Sequence, residues 1–212
     1  MPMTYSSQAS ATPTSGTTVV VNKPSGTADG DVLIAMVSVR GSSLPGSLTD
    51  PGGWTGLTQY AAGFTRHGVF YKVAGASEGA SYTFTVDQTI VDAVGAILRY
   101  APSAPTTPPG VVDATGYATP ATPGVAPSVT ATGDQDTLIA LFTTANTVGA
   151  TPTGMTQRVA IDGGSSGAWI YDELLAAAGA TGTRTWAGSG SSLAWTIALQ
   201  AFAGGNRIRM MI

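Results

Sequence analysis

Cysteine is absent from this chain of 212 residues, and histidine occurs once, at His67. The chain therefore has no disulfides, no thiolate metal ligands and no cysteine nucleophile. A Ser-His-Asp relay or a histidine metal site would depend on one imidazole. His67 lies in Phe64-Thr-Arg-His-Gly68, where we interpret it as a loop or strand-edge residue beside a turn glycine. The sequence predicts no catalytic site, no metal site and no cofactor, and glycine-rich cofactor loops are also missing.

Charge is the second scarce property of the chain. Charged residues make up 10% of the sequence, against about 25% in typical domains. Two glutamates and two lysines are too few for the solvent faces of helices, so the composition favours a β protein. The net charge is −3 and the basic residues are scattered singly. Because no basic patch could neutralise several phosphates together, we predict no nucleic-acid partner.

Long apolar runs are also absent. The first ten residues contain neither a basic segment nor an apolar segment of a secretory signal. No apolar run approaches the roughly 18 residues of a membrane span. We therefore predict synthesis in a cytoplasm and no membrane partner.

What the chain does contain is an internal repeat, which is the first feature to consider in assigning a fold. Three blocks recur in the same order. They are Asp31-Val-Leu-Ile-Ala-Met-Val37 and Asp136-Thr-Leu-Ile-Ala-Leu-Phe142, Val69-Phe-Tyr71 and Trp169-Ile-Tyr171, and Gly95-Ala-Ile-Leu-Arg-Tyr100 and Ile197-Ala-Leu-Gln-Ala-Phe202. The repeat predicts an architecture in which both halves contribute similar strands.

Residue periodicity predicts strands in both halves. Tyr82, Phe84 and Val86 alternate with threonines, which is typical of a half-buried strand. Residues 31–40 are apolar on both faces, and this pattern indicates a central strand that is covered on both sides or a strand that lies at a subunit contact. Seven of the 13 prolines lie in residues 101–127 and argue against a regular ladder there.

These patterns predict an all-β fold, a jelly-roll-like antiparallel sandwich of about ten strands in two sheets. The alternative is two consecutive small sandwiches; burial of residues 32–37 and 138–142 in one core would favour the single sandwich. The predicted segments are an N-terminal arm (1–16), a sandwich (17–204) made of repeat one (17–100), a proline-rich crossing (101–127) and repeat two (128–204), and a C-terminal arm (205–212).

Two short patterns resemble functional motifs but have simpler interpretations. Residues 163–167, Gly-Gly-Ser-Ser-Gly, match a nucleophile elbow, yet they connect two strand-like segments and no histidine follows. We interpret them as a flexible hairpin. The aspartate pairs Asp29/Asp31 and Asp134/Asp136 could contribute to a Ca²⁺ site, which needs six to eight oxygen ligands. Ordinary turn chemistry explains these pairs better.

Four tryptophans raise the possibility of a sugar-stacking surface. Trp169 and Trp195 lie within alternating strands, where we expect core positions. Trp54 follows Pro51-Gly-Gly53, and we expect it to be the most exposed of the four. Trp54 and Tyr60 are the candidate sugar-stacking residues.

Several of these blocks resemble a sandwich domain that recurs in structural proteins of tailed phages and prophages. They are Gly30-Asp-Val-Leu-Ile-Ala35, Gly53-Trp-Thr55, Tyr71-Lys-Val-Ala74, Glu78 and Tyr82-Thr-Phe-Thr85. The match covers most of residues 26–202 and includes the proline-rich crossing and a weaker second pass. The resemblance implies a virion component, such as a capsid decoration protein, a head fibre or a tail-associated module. It implies no catalytic residues.

The expected function is therefore non-enzymatic: a virion protein that decorates or cements a capsid. Its expected partners are the major capsid protein or another virion protein, and further copies of itself in a symmetric oligomer such as a trimer. The candidate assembly contacts are Arg207, Ile208, Arg209, Met210, Met211 and Ile212, because this end is too apolar to stay exposed without consequence. The other interpretation of residues 205–212 is a frayed tail or a final edge strand. The alternative is a carbohydrate-binding or adhesin module of a tail fibre.

Overall fold

The chain folds into strands joined by turns, and the described residues contain no helix. The computed structural model describes residues 2–102, 112–144 and 149–201. The strands are β1 (Met3–Ala11), β2 (Thr18–Asn22), β3 (Val32–Gly41), β4 (Leu48–Thr49), β5 (Thr55–Ala62), β6 (Thr65–Val73), β7 (Ser81–Val86), β8 (Ile90–Pro102), β9 (Val112–Ala121), β10 (Gly124–Ala126), β11 (Thr130–Ala131), β12 (Thr137–Thr144), β13 (Thr156–Asp162), β14 (Gly167–Leu174), β15 (Gly179–Ala180), β16 (Arg184–Trp186) and β17 (Ser192–Leu199).

Residues 3–102 form a complete two-layer sandwich, which we call the first sandwich. One sheet has the order β1-β8-β3-β6-β5 and the other the order β2-β7-β4, with antiparallel pairing throughout. The strands β1, β8, β3 and β6 lie side by side in one layer, and the strands β2, β7 and β4 form the opposite layer. This is the strand order of a jelly roll, with β5 added at one edge.

The described residues between 112 and 199 form a similar sandwich, the second sandwich. Its five-stranded sheet has the order β9-β17-β12-β14-β13, which matches the first sheet strand for strand. Its outer layer consists of two short pairs, β10-β16 and β11-β15. The blocks that recur in the sequence lie on β3 and β12 at the two sheet centres and on their neighbours in each sheet.

The two five-stranded sheets pack against each other and give the molecule four layers. Val32, Ile34 and Met36 on β3 share one central core with Ile139 and Leu141 on β12. The opposite face of β3 packs against the outer sheet of its own sandwich. The predicted jelly-roll-like β fold is therefore confirmed. The described residues contain 17 strands rather than about ten, since the predicted arm and crossing also supply β1 and β9 and the outer layers add several short strands. Both alternatives hold in part, because β3 and β12 each contribute to the central core and to a second core within their own sandwich.

Residues 1–16 were predicted to form an arm, but residues 3–11 are strand β1, which pairs with β8. Met3 is buried in the central core, and the Thr137 hydroxyl donates a 2.6 Å hydrogen bond to the Met3 carbonyl oxygen. Polar side chains are compatible with this position because an edge strand pairs on one side only and its outward side chains meet water.

Within the predicted proline-rich crossing, residues 112–126 include the strands β9 and β10. The expectation of no regular ladder is wrong for β9, which pairs with β17 as the edge strand of its sheet. Its proline, Pro120, lies beside a register irregularity near the strand end. Prolines are tolerated at sheet edges and bulges because no ladder hydrogen bond is required from them there.

Gly95 on β8 allows the two layers of the first sandwich to approach closely. A Cβ atom at Gly95 would lie 2.7 Å from Val19 Cγ1 and 2.7 Å from Val21 Cγ2 on β2. We expect Gly95→Ala to lower the free energy of unfolding by about 2 kcal/mol, because overpacking a core forces neighbours out of position. Urea denaturation measures this change.

Gly79→Ala is the matched control, since the nearest atom to its added Cβ would be the Ser81 carbonyl oxygen at 3.6 Å. This variant should stay within about 0.5 kcal/mol of the parent chain. Equal effects of the two substitutions would contradict a tight contact between β8 and β2.

Candidate ligand cleft between the two sandwiches

The central interface changes from apolar to polar towards one end of the strands. Side chains on a strand alternate between its two faces, so Ser38 and Arg40 continue the row of β3 positions that faces the second sandwich. On β8, Asp92 lies two residues before Val94, a member of the central core. On β12, Thr143 follows Leu141 on the same face. Both sheets thus present polar side chains at this end.

Strand pairing brings these polar positions together. Ser38 on β3 lies opposite His67 on β6, and His67 lies opposite Tyr60 on β5. A cavity of about 190 Å³ opens here between the two sandwiches. Its hydroxyl-bearing wall consists of Thr65, Thr143, Thr144, Ser165, Ser166 and Ser191. His67 completes the polar wall, while Tyr60, Pro120 and Leu193 supply apolar surface. We call this cavity the cleft.

One side of the cleft is the β13–β14 hairpin, which residues 163–166 close. The hairpin interpretation of this glycine-rich stretch is confirmed: the Gly163 amide donates a 2.8 Å hydrogen bond to the Ser166 carbonyl oxygen. Arg40 Nη1 donates to Ser165 Oγ at 2.7 Å, and the Ser165 amide donates to Asp92 Oδ2. Two charged side chains of the first sandwich, Arg40 and Asp92, thus hold the hairpin of the second sandwich at the cleft.

His67 was predicted to lie in a loop or at a strand edge, and this is wrong. It lies within β6, between β3 and β5, and its side chain is 8% exposed. Its Nε2 atom is 3.1 Å from Thr65 Oγ1. Burial disfavours the imidazolium and lowers the pKa of His67 to about 4. The ring is therefore neutral near pH 7.

Serine, histidine and aspartate all occur around the cleft, but their contacts do not form a relay. In a relay the aspartate orients the histidine, and the histidine contacts the serine hydroxyl. Here Asp92 accepts from the Ser165 amide, and the Ser165 hydroxyl accepts from Arg40. Within the described residues His67 contacts Thr65 instead.

Four buried polar atoms at this end of the interface have no hydrogen-bond partner among the residues that the structure describes. They are Ser38 Oγ, His67 Nδ1, Ser166 Oγ and Trp195 Nε1. The rings of His67 and Trp195 are close, with centroids 6.4 Å apart. Buried polar groups are normally paired, so this cluster distinguishes the polar end from the apolar remainder of the interface.

The other end of the interface contains a buried polar bridge between the sandwiches. Asp172 on β14 accepts a 3.1 Å hydrogen bond from the Tyr100 hydroxyl on β8 and a 2.7 Å charged hydrogen bond from Arg158 Nε on β13. The Arg158 guanidinium also lies 4.5 Å from the centre of the Tyr5 ring. Burial raises the pKa of Asp172 even though Arg158 and Tyr100 favour its charged form.

The two sugar-stacking candidates, Trp54 and Tyr60, lie in different environments. Trp54 is 8% exposed and packs edge-on against Tyr82 and Phe84, so the expectation that it is exposed is wrong. Its ring belongs to the core between the two sheets of the first sandwich, which we call the outer core. Tyr60 is half-buried and lines the cleft. Trp169 and Trp195 lie in cores, as predicted.

The aspartate pairs take part in turns. Asp31 Oδ2 accepts from the Ala28 amide at 2.7 Å and from Arg99 Nε, and Asp136 accepts from the Gly133 and Ala201 amides. Within the described ranges no group of three or more His, Cys, Asp or Glu side chains could hold a metal ion. The candidate assembly contacts at 207–212 lie outside the described residues.

Sequence reasoning missed the cleft, although a signal for it exists. The inward row of β3 runs Val32, Ile34, Met36, Ser38, Arg40, and it changes from apolar to polar within one strand. On β12 the same change occurs from Leu141 to Thr143. Two central strands that both become polar at one end indicate that the interface opens there.

Comparison of the chain with protein-family models, curated proteins and solved structures gives no match. None of the residues that the structure describes belongs to a helix long and apolar enough to cross a membrane.

Proposed function

We propose that the chain is a non-enzymatic structural protein of a phage virion that decorates or cements the capsid. The observation that carries this proposal is the pairing of two jelly rolls through one apolar interface. Jelly rolls are a recurrent architecture of viral capsid proteins, as they are of lectins.

The edges of the central sheets support an assembly role. Natural proteins usually guard edge strands with lysine or other charges. Of the four edge strands of the central sheets, β1 and β5 carry no charged residue, β9 carries Asp113 alone, and β13 carries Arg158 and Asp162. Tyr117 on β9 is 50% exposed. These edges favour pairing with a capsid subunit, another virion protein or a second copy of the chain, and a symmetric oligomer such as a trimer would use them repeatedly.

The alternative, a carbohydrate-binding or adhesin module of a tail fibre, loses one of its two stacking candidates, Trp54, while Tyr60 lines the cleft. A platform requires an exposed ring face, and Trp54 does not offer one. The capsid role is therefore the proposal that we favour.

The proposal predicts that the chain copurifies with virions from cells that produce it. Immunogold electron microscopy should label capsids rather than tails, and a chain lacking residues 205–212 should bind particles about tenfold more weakly. Its melting temperature should change by less than about 2 °C, since the last described strand, β17, ends at Leu199. Absence of the chain from gradient-purified particles would contradict the virion role, and unchanged binding after truncation would contradict the C-terminal contact alone.

A further inference from the structure

We propose that the cleft between the two sandwiches binds one ring of a neutral polyhydroxylated ligand, either a free sugar or the terminal unit of a glycan. The proposal does not depend on the virion role, because it rests on the lining of the cleft. Ligand sites commonly lie between packed domains and combine apolar walls with a few polar groups.

The size of the cleft suits a small molecule. Its volume is about 190 Å³. A water molecule occupies about 30 Å³ in the liquid, so the cleft has room for several waters or for one sugar ring. Because the cleft opens to solvent at the end of the strands, a ring at the end of a longer chain could also enter.

The hydrogen-bonding groups of the cleft match hydroxyl groups. Each serine or threonine hydroxyl both donates and accepts, and a neutral imidazole has one donor and one acceptor. Thr143, Ser166, Ser191 and His67 therefore present a mixed wall. A sugar ring, whose hydroxyls also donate and accept, complements such a wall.

The charges near the cleft argue against an ionic ligand. Arg40 donates to Ser165, and Asp92 accepts from the same residue, so both charges already have partners in the hairpin. Neither of these charged side chains lines the cleft, so an anion would find no free cation among its lining residues. A cation would find no cluster of carboxylates within the described part of the chain.

Two further observations point to a ligand. Ser166 Oγ and His67 Nδ1 belong to cleft side chains that are more than nine-tenths buried, and neither atom has a partner among the described residues. A ligand hydroxyl can supply that partner. Tyr60 lies beside His67 on the neighbouring strand β5, and its ring and Leu193 provide the apolar surface on which the C–H face of a sugar can rest.

The test is a titration of the ¹⁵N-labelled full chain, followed by the indole N–H signals of its four tryptophans. The probes are glucose, galactose, N-acetylglucosamine, the trisaccharide of N-acetylglucosamine and inorganic phosphate, each up to about 50 mM, which reaches weak millimolar ligands. We expect at least one sugar to shift the Trp195 signal saturably, because Trp195 lies beside His67. Trp54, in the outer core of the first sandwich, is the internal reference and should not shift. Trp195→Phe assigns the signal.

Thr143→Val and Ser166→Ala remove one hydroxyl each and should weaken sugar binding about fivefold to tenfold, the effect of one lost hydrogen bond. Ser81→Ala, at an exposed position of β7, is the matched control and should leave binding unchanged. Thr143→Val preserves side-chain shape and decides the test if Ser166→Ala is unstable. Tighter binding of the trisaccharide than of the monosaccharides would identify the end of a glycan as the ligand. Equal binding of the trisaccharide and the monosaccharides would identify a free sugar. No Trp195 shift with any sugar, a shift with phosphate alone, or equal binding by Thr143→Val would overturn the proposal.

Discussion

Asp172→Ala is expected to lower the free energy of unfolding by about 3 to 5 kcal/mol, the range for breaking a buried ion pair from one side. Asp172 is almost fully buried, and its two carboxylate oxygens accept from Tyr100 and from Arg158. Without the carboxylate, the fully buried Tyr100 hydroxyl loses its partner across the interface. The loss therefore affects the contact between the sandwiches, and urea denaturation at pH 7 measures it.

Two further variants distinguish the loss of this bridge from the general effect on stability of removing a carboxylate. Tyr100→Phe removes one hydrogen bond and should cost about 1 to 3 kcal/mol, because it leaves a buried carboxylate oxygen unpaired. Asp29→Ala, at an exposed turn position, should change stability by less than about 0.5 kcal/mol. A cost below about 1 kcal/mol for Asp172→Ala would show that desolvation of the carboxylate offsets its hydrogen bonds.

Acidification from pH 7 to pH 4 is expected to remove about 3 kcal/mol of stability through His67 alone. The pKa of His67 falls from 6.5 to about 4 in the folded state because the ring is buried. A depressed pKa means that the unfolded chain takes up the proton first. The contribution is therefore complete above about pH 6.5 and is lost as the pH falls towards 4, at 1.36 kcal/mol per unit.

His67→Gln provides the control, because His67 is the only histidine of the chain. Carboxylates titrate in both proteins, so the difference between their stability curves isolates the imidazole. We expect the variant to lose about 3 kcal/mol less than the parent chain between pH 7 and pH 4, as measured by urea denaturation at each pH. Parallel curves would show that the ring can reach water while the protein remains folded.

Particular residues show how far the sequence predicts the fold. Residues 31–40 are apolar on both faces, and β3 is indeed a central strand with a core on each side. Trp169 and Trp195 lie in cores, and residues 163–166 close a hairpin, because alternation and turn residues act over a few neighbours. These features depend on local sequence.

Other predictions failed where distant strands decide the outcome. Trp54 follows a glycine-rich turn, yet Tyr82 and Phe84 on β7 bury it. His67 precedes a glycine, yet pairing with β3 and β5 places it inside the sheet and at the cleft. Residues 3–11 have the composition of a polar arm, yet they pair with β8 as an edge strand. In each case the deciding partner is remote in sequence.

The sequence by itself determined the all-β class, the faces of the central strands and the hairpin at residues 163–167, because strand alternation and turn chemistry are encoded in neighbouring residues. Tertiary structure decided that the halves form two jelly rolls packed back to back, that Asp172 meets Tyr100, and that a polar cleft surrounds His67. The physical reason is that periodicity shows which face of a strand is buried. What covers that face depends on long-range strand pairing and on how two sheets pack.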